Sequence, residues 1–115
     1  MVRETNPNFM AGVPELVILR LLQKREMYGY AIVQAIRAET GDVVSVGEGV
    51  VYTVLHALER EHALKSRRKT VEGRSRIYYT VTARGLQRYS DLAKNWTTLA
   101  GAIHTVISGK PHAAA

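Results

Sequence analysis

Thr53 and His56 stand one helical turn apart, with Gly49, Val50 and Tyr52 just before them, and six cations follow downstream: Lys65, Arg67, Arg68, Lys69, Arg74 and Arg76. A hydroxyl and an imidazole at helical spacing can hydrogen-bond base edges, small residues beside them allow close approach, and arginine and lysine bind phosphate. That is the chemistry of polyanion recognition. Catalysis finds little support. His56, His62, His104 and His112 are scattered without a second ligand at metal-site spacing, and no phosphate-cradling glycine loop or G-x-S-x-G nucleophile motif is present. No enzyme activity, metal or cofactor is expected.

The charge distribution sharpens the point. The net charge is +6 and the pI about 9.9. Residues 65 to 76 set six cations against Glu72 alone, whereas the rest of the chain holds ten basic and nine acidic residues. A field concentrated in one short segment marks a polyanion-binding element, or else a solvated surface hairpin. At 115 residues with 46% hydrophobic content, a single globular domain is expected. No apolar run is long enough to span a bilayer, no leader-like segment opens the sequence, and cysteine is absent, so a cytoplasmic location is expected.

The elements that must hold these residues follow from periodicity. Residues 1–11 are polar with Pro7 and are expected to form a flexible arm. Pro14 suits a helix start, and Leu16, Leu19 and Leu22 repeat at helical spacing to about Lys24. Tyr28 to Glu39 predicts a second helix with Gly41 beyond its end. Val43, Val44 and Val46 predict a short extended piece. A third helix is expected from about Glu48 to His62, with Val51, Val54, Leu55 and Leu58 inward and Gly49, Thr53, His56 and Arg60 outward. Leu64–Val71 and Arg76–Val81 predict a hairpin around Glu72-Gly73-Arg74-Ser75, its second strand burying Ile77, Tyr79 and Val81 while Tyr78 looks out.

Thr82 is placed to cap a last helix, residues 82–108, about 40 Å long at 1.5 Å per residue. Tyr89, Leu92, Trp96, Leu99, Ile103 and Val106 follow one another at steps of 3, 4, 3, 4 and 3, a heptad seam suited to a partner helix. With Leu16 and Leu19 of the first helix, they are the expected dimer interface. Ala100, Gly101 and Ala102 beside Trp96 leave space, either for a close partner helix or for a flat ligand stacked between Trp96 and Ala100. Residues 109–115 are expected to be a disordered tail.

Helix, turn, helix and basic hairpin in this order predict a mainly α fold with a small β-hairpin wing. It is a winged helix-turn-helix over residues 12–81 followed by a long C-terminal dimerisation helix. The third helix would enter the major groove of double-stranded DNA through Gly49, Val50, Thr53 and His56, with Tyr52 at a phosphate or packed half-buried. Arg67, Arg68, Lys69, Arg74 and Arg76 would track phosphates or enter the minor groove. A winged-helix protein-interaction module and a non-specific nucleic-acid binder are the alternatives.

Four segments at matching spacing carry a family resemblance: Glu15 to Leu22, then Met27-Tyr28-Gly29-Tyr30, then Val51-Tyr52 with Leu55, Leu58 and Glu59, then Gly73 to Thr82 with Gly85. Over about residues 12–105 the chain resembles the PadR-like transcriptional regulators, specifically their small members with a single C-terminal helix. The resemblance implies a homodimer on a palindromic operator, usually a repressor. It also implies release by a phenolic or planar hydrophobic effector at the dimer interface, where Trp96 falls at the comparable place. The chain departs from the family pattern at Thr53, where proline is usual, and at Glu61-His62-Ala63, where glycine is usual. The segment between Ser45 and Val50 is also atypical, with Glu48 close to where phosphate would lie.

Overall fold

Four helices and a three-stranded antiparallel sheet make up the computed structural model, which describes residues 11–110. The order is α1 (Val13–Lys24), β1 (Met27–Tyr28), α2 (Gly29–Glu39), α3 (Glu48–Arg60), β2 (Leu64–Val71), β3 (Arg74–Val81) and α4 (Ala83–Ser108). The expected N-terminal arm apart from Ala11, and the tail from Pro111, lie outside the described residues.

Each helix buries the stripe its periodicity implies. Ile18 and Leu19 of α1, Ile32 and Ile36 of α2, and Leu55 and Leu58 of α3 meet in one core with at most 1% of their surface exposed. Burial of one such side chain contributes about 1.5–3 kcal/mol. α1 opens with Pro14 in its first turn, where a missing N–H costs nothing. α2 ends at Thr40, whose hydroxyl donates to the Ile36 carbonyl at 2.7 Å and accepts the Val44 N–H at 3.0 Å. That latch turns the chain toward α3. Val43, Val44 and Val46 therefore form no strand: Val46 is buried, Val43 is 75% exposed, and the segment is an irregular loop.

The third strand lies elsewhere. Met27 and Tyr28 pair with Tyr79 and Tyr78, giving the sheet order β1-β3-β2. Tyr28 thus belongs to a strand, and the second helix begins one residue later than its periodicity suggests. This extra strand also upsets the alternation expected for β3. Tyr78 is buried along with Tyr79, because the Tyr28 ring covers it edge-on at 5.5 Å, whereas Ile77 is left 36% exposed.

The hairpin turn is tighter than the sequence suggests. Val71 pairs with Arg74, so only Glu72 and Gly73 make the turn. Both have positive φ, 52° and 77°, which is the type I′ geometry whose twist matches the strands. α3 ends at Arg60, and His62 adopts φ 63°, a left-handed conformation at one of the positions where the sequence lacks the expected glycine.

α4 is pinned to that corner. The Thr82 hydroxyl accepts the Gly85 N–H at 3.1 Å and donates to the His62 carbonyl at 2.7 Å, while the Thr82 N–H donates to the Ala63 carbonyl. A Cβ on Gly85 would lie 2.1 Å from the Ala63 carbonyl oxygen; one on Gly101 would meet nothing within 4 Å. Gly85→Ala is therefore expected to destabilise by about 2 kcal/mol or more, as a backbone clash does. Gly101→Ala, on the same helix, should stabilise by up to about 1 kcal/mol. Thermal unfolding of the two variants checks both signs.

Candidate nucleic-acid interface

Between α3 and the wing lies a cleft of about 510 Å³, lined by Tyr28, Tyr30, Tyr52, His56, Arg68, Arg74, Ser75, Arg76, Ile77 and Tyr79; of the predicted α3 contacts it takes in Tyr52 and His56 but not Gly49, Val50 or Thr53. Its two walls come from residues far apart in sequence. Amphipathicity turns Val51, Leu55 and Leu58 inward and leaves Gly49, Val50, Tyr52, Thr53 and His56 exposed. Three wing cations, Arg68, Arg74 and Arg76, line the other wall. Arg68 opposes Ile77 and lies on the face toward α3, where its guanidinium donates to the Ser75 hydroxyl at 3.1 Å. Arg74 follows the turn directly. Arg76 lies 4.2 Å above the Tyr28 ring, a cation–π contact that holds it at the cleft edge.

Two of the exposed α3 residues carry local constraints. The Thr53 hydroxyl donates to the Gly49 carbonyl at 2.8 Å, so outward it offers a methyl group and acceptor lone pairs. The Tyr52 ring lies against Gly29, where a Cβ would be 2.4 Å from its Cζ, and Tyr52 remains 39% exposed. Gly29 is thus the point where α2 and α3 meet. The phenol of Tyr79 at the cleft floor is buried, and that burial pushes its pKa up.

Arg67 and Lys69 take a different position. They share a face of the hairpin with their cross-strand partners Tyr78 and Arg76, and what sets them apart from Arg76 is that both are bonded to Glu26. Arg67 reaches the carboxylate through Nη2 at 2.9 Å and Nε at 3.2 Å; Lys69 Nζ reaches it at 2.6 Å and also lies 5.1 Å above the Tyr78 ring. Hydrogen bonds from Arg67 and Lys69 hold the Glu26 carboxyl at about 2. No feature of the sequence marked Glu26, because its partners are 41 and 43 residues away.

A family model described as the transcriptional regulator PadR-like family matches residues 18–91, more than half of the chain. The chain belongs to the PadR-like family. Its members are transcriptional regulators, not enzymes. Among solved structures, a transcriptional regulator from Clostridium thermocellum superposes with a TM-score of 0.78 at 28% identity, covering 85% of this chain and 96% of that one. A PadR-like transcriptional regulator from Bacillus cereus gives a TM-score of 0.77 at 24% identity over 90% and 99%, a likeness of fold. An uncharacterised protein from Lysinibacillus sphaericus is 29% identical over 103 residues, 89% of this chain and 94% of its own length.

In this PadR-like chain the second half of α4 stands clear of the winged helix. Trp96, Leu99, Ile103 and Val106 are 46%, 57%, 49% and 81% exposed. Trp96 lies between two hollows. One, of about 320 Å³, reaches α1 and α2 through Leu16, Leu21 and Ile36; the other, of about 580 Å³, runs along Leu99, Ala100, Ile103 and Ile107. Tyr89 and Leu92 pack partly against the protein's own core. Leu19 does so completely, with no exposed surface, and is therefore a core residue rather than an interface one. No helix among the described residues is long and apolar enough to cross a membrane.

The Glu26 clamp has a pH signature. Its folded pKa of about 2 lies below the ordinary 4.5, so the clamp's stabilisation is fully present above 4.5 and lost as pH falls toward 2. Wild type should unfold at higher temperature than Glu26→Gln near neutral pH. The gap should close between pH 4.5 and 2, and a gap that persists at the acid end would refute the clamp.

Proposed function

We propose that this regulator is a homodimeric, sequence-specific DNA-binding repressor acting in the cytoplasm, released from a palindromic operator by a planar aromatic or hydrophobic effector. The cleft carries the DNA reading. It gathers Tyr52 and His56 of α3 and the cations Arg68, Arg74 and Arg76 around one concave surface, with Gly49, Val50 and Thr53 exposed on the same helix outside it, the combination that base-edge and phosphate contacts require. In this account Gly49, Val50, Thr53 and His56 approach the major groove, Tyr52 flanks it, and Arg74 and Arg76 engage phosphate or the minor groove.

The dimer reading rests on the apolar stripe of α4. Four large side chains at heptad spacing are exposed on one helix, a patch that water disfavours and a second α4 would cover. Two recognition helices related by a two-fold axis would read a palindrome. Effector control rests on Trp96, an indole flanked by two hollows with small residues beside it.

Glu48 supports the competing reading of a protein-interaction module, because it exposes a carboxylate in the first turn of α3. Competition binding separates the two. The protein should prefer DNA from upstream of its own gene over random duplex of equal length, and equal binding would end the specific-regulator account. Replacing Arg74 and Arg76 with alanine should lower the slope of log affinity against log salt by about 0.9 for each phosphate that is no longer neutralised. An unchanged slope would remove the wing from the interface.

For the effector, planar aromatic compounds should quench Trp96 fluorescence and weaken operator binding over the same concentration range. A flat response to a broad aromatic panel, with the dimer intact, would make Trp96 an interface residue only.

A further inference from the structure

The sequence concentrates six cations in the wing, yet the fold does not present them all alike. Arg68, Arg74 and Arg76 line the cleft beside α3. Arg67 and Lys69 do not line it: they are held by Glu26, although strand pairing places Lys69 beside Arg76. We propose that Glu26 sets the specificity of this regulator by withholding Arg67 and Lys69 from DNA phosphates. The inference rests on the DNA-binding reading above.

Three observations support it. The clamp is a directed one: a bidentate guanidinium contact and an ammonium contact converge on one carboxylate. Without it, Arg67 would be loosely held, since its side chain is 65% exposed and its hydrogen bonds go to Glu26. Arginine and lysine are long enough to swing past a strand edge, and among the described residues β2 is an edge strand of the sheet. Third, the acid lies on the segment joining α1 to β1, anchored by the pairing of Met27 and Tyr28 with β3, so the clamp position is set by the sheet. The carboxylate stays ionised at physiological pH, which makes the clamp constant rather than a pH switch.

The consequence concerns selectivity more than strength. Non-specific binding grows with the number of phosphates neutralised, whatever the sequence, whereas specific binding adds the base contacts of the cleft. Holding two cations back, and adding one carboxylate, weakens attachment to random DNA. Random DNA is met in any orientation that brings cations to phosphate, whereas the operator complex is held in the one register set by α3, so withholding the two cations costs random binding more and the ratio of specific to non-specific affinity rises.

The test compares full-length wild type, Glu26→Gln, Arg67→Ala and the double variant, each on its own upstream DNA and on random duplex over a range of KCl. Glu39→Gln, which removes the same charge far from the wing where Glu39 pairs with Lys24, is the control for net charge. Glu26→Gln should bind random DNA more tightly and steepen the salt slope by about one to two, at about 0.9 per released cation. Its preference for upstream DNA should fall severalfold. Arg67→Ala should leave the slope unchanged in the wild-type background and lower it by about 0.9 in the Glu26→Gln background. A merely structural role would not produce that dependence.

Wild-type slope and selectivity in Glu26→Gln, or the same change in Glu39→Gln, would overturn the proposal while leaving the regulator reading intact. Equal binding of wild type to upstream and random DNA would overturn both. If circular dichroism shows that Glu26→Gln is unfolded, Glu26→Asp serves instead. Its shorter arm should free one cation and steepen the slope by about 0.9, and a wild-type slope there would count against the clamp equally.

Discussion

The corner where α3 ends, β2 begins and α4 leaves the sheet carries the constraint on which the rest of the architecture depends. There the Ala63 carbonyl accepts the Thr82 N–H, and Gly85 approaches so closely that no side chain would fit. Thr82 serves both sides, capping α4 and donating to His62. Arg88, one turn into α4, bonds Glu15 of α1 and Glu61 at the end of α3. These contacts order backbone groups at a helix end that would otherwise remain unpaired, and they fix two helix axes against each other. The direction in which α4 points is therefore tied to the direction of α3.

The wing depends on a second, independent set of ties. Ser66 donates to Glu59 of α3, so the base of β2 is held against that helix. On the opposite face, Arg76, Tyr28, Tyr78, Lys69 and Glu26 form a continuous chain of ring and ion contacts. Isolated surface ion pairs contribute little, about 0–1 kcal/mol at the median, but a network that also buries Tyr78 restricts the wing's twist. The hairpin thereby becomes a positioned element with two chemically different faces.

Helix positions were legible because burial follows local periodicity. Leu55 and Leu58 against Thr53 and His56 divide α3 into an inner and an outer face without knowledge of its neighbours. The expected dimer stripe mixed two situations for the same reason. Leu19 and Trp96 both sit on apolar helical faces, yet one is enclosed by this chain and the other is not, and spacing alone cannot tell whose atoms cover a side chain. β1 was illegible, being two residues long and created by pairing with a strand some fifty residues away. Glu26 was illegible for the same cause. The charge total of residues 65–76 treated six cations as equivalent, whereas one distant carboxylate sets Arg67 and Lys69 apart. Gly29 belongs to a motif visible in sequence, but its purpose, contact with the Tyr52 ring, required the third dimension.

These ties bear on how a ligand beside Trp96 would be felt at the DNA. α4 is one unbroken helix of 26 residues, its first turns bonded to α3 and its later turns carrying the exposed seam. A helix of that length behaves as a rod about 39 Å long, so a small rotation where two such rods cross changes the separation of whatever is fixed to their ends. In the proposed dimer those ends hold the recognition helices. Half-site spacing on DNA tolerates little error, because the grooves recur every 34–36 Å or so. An effector lodged beside Trp96 need not touch α3 or the wing. It need only favour a packing of α4 against α4 in which the two clefts no longer match successive major grooves, and its influence is limited to its difference in affinity for the two packings.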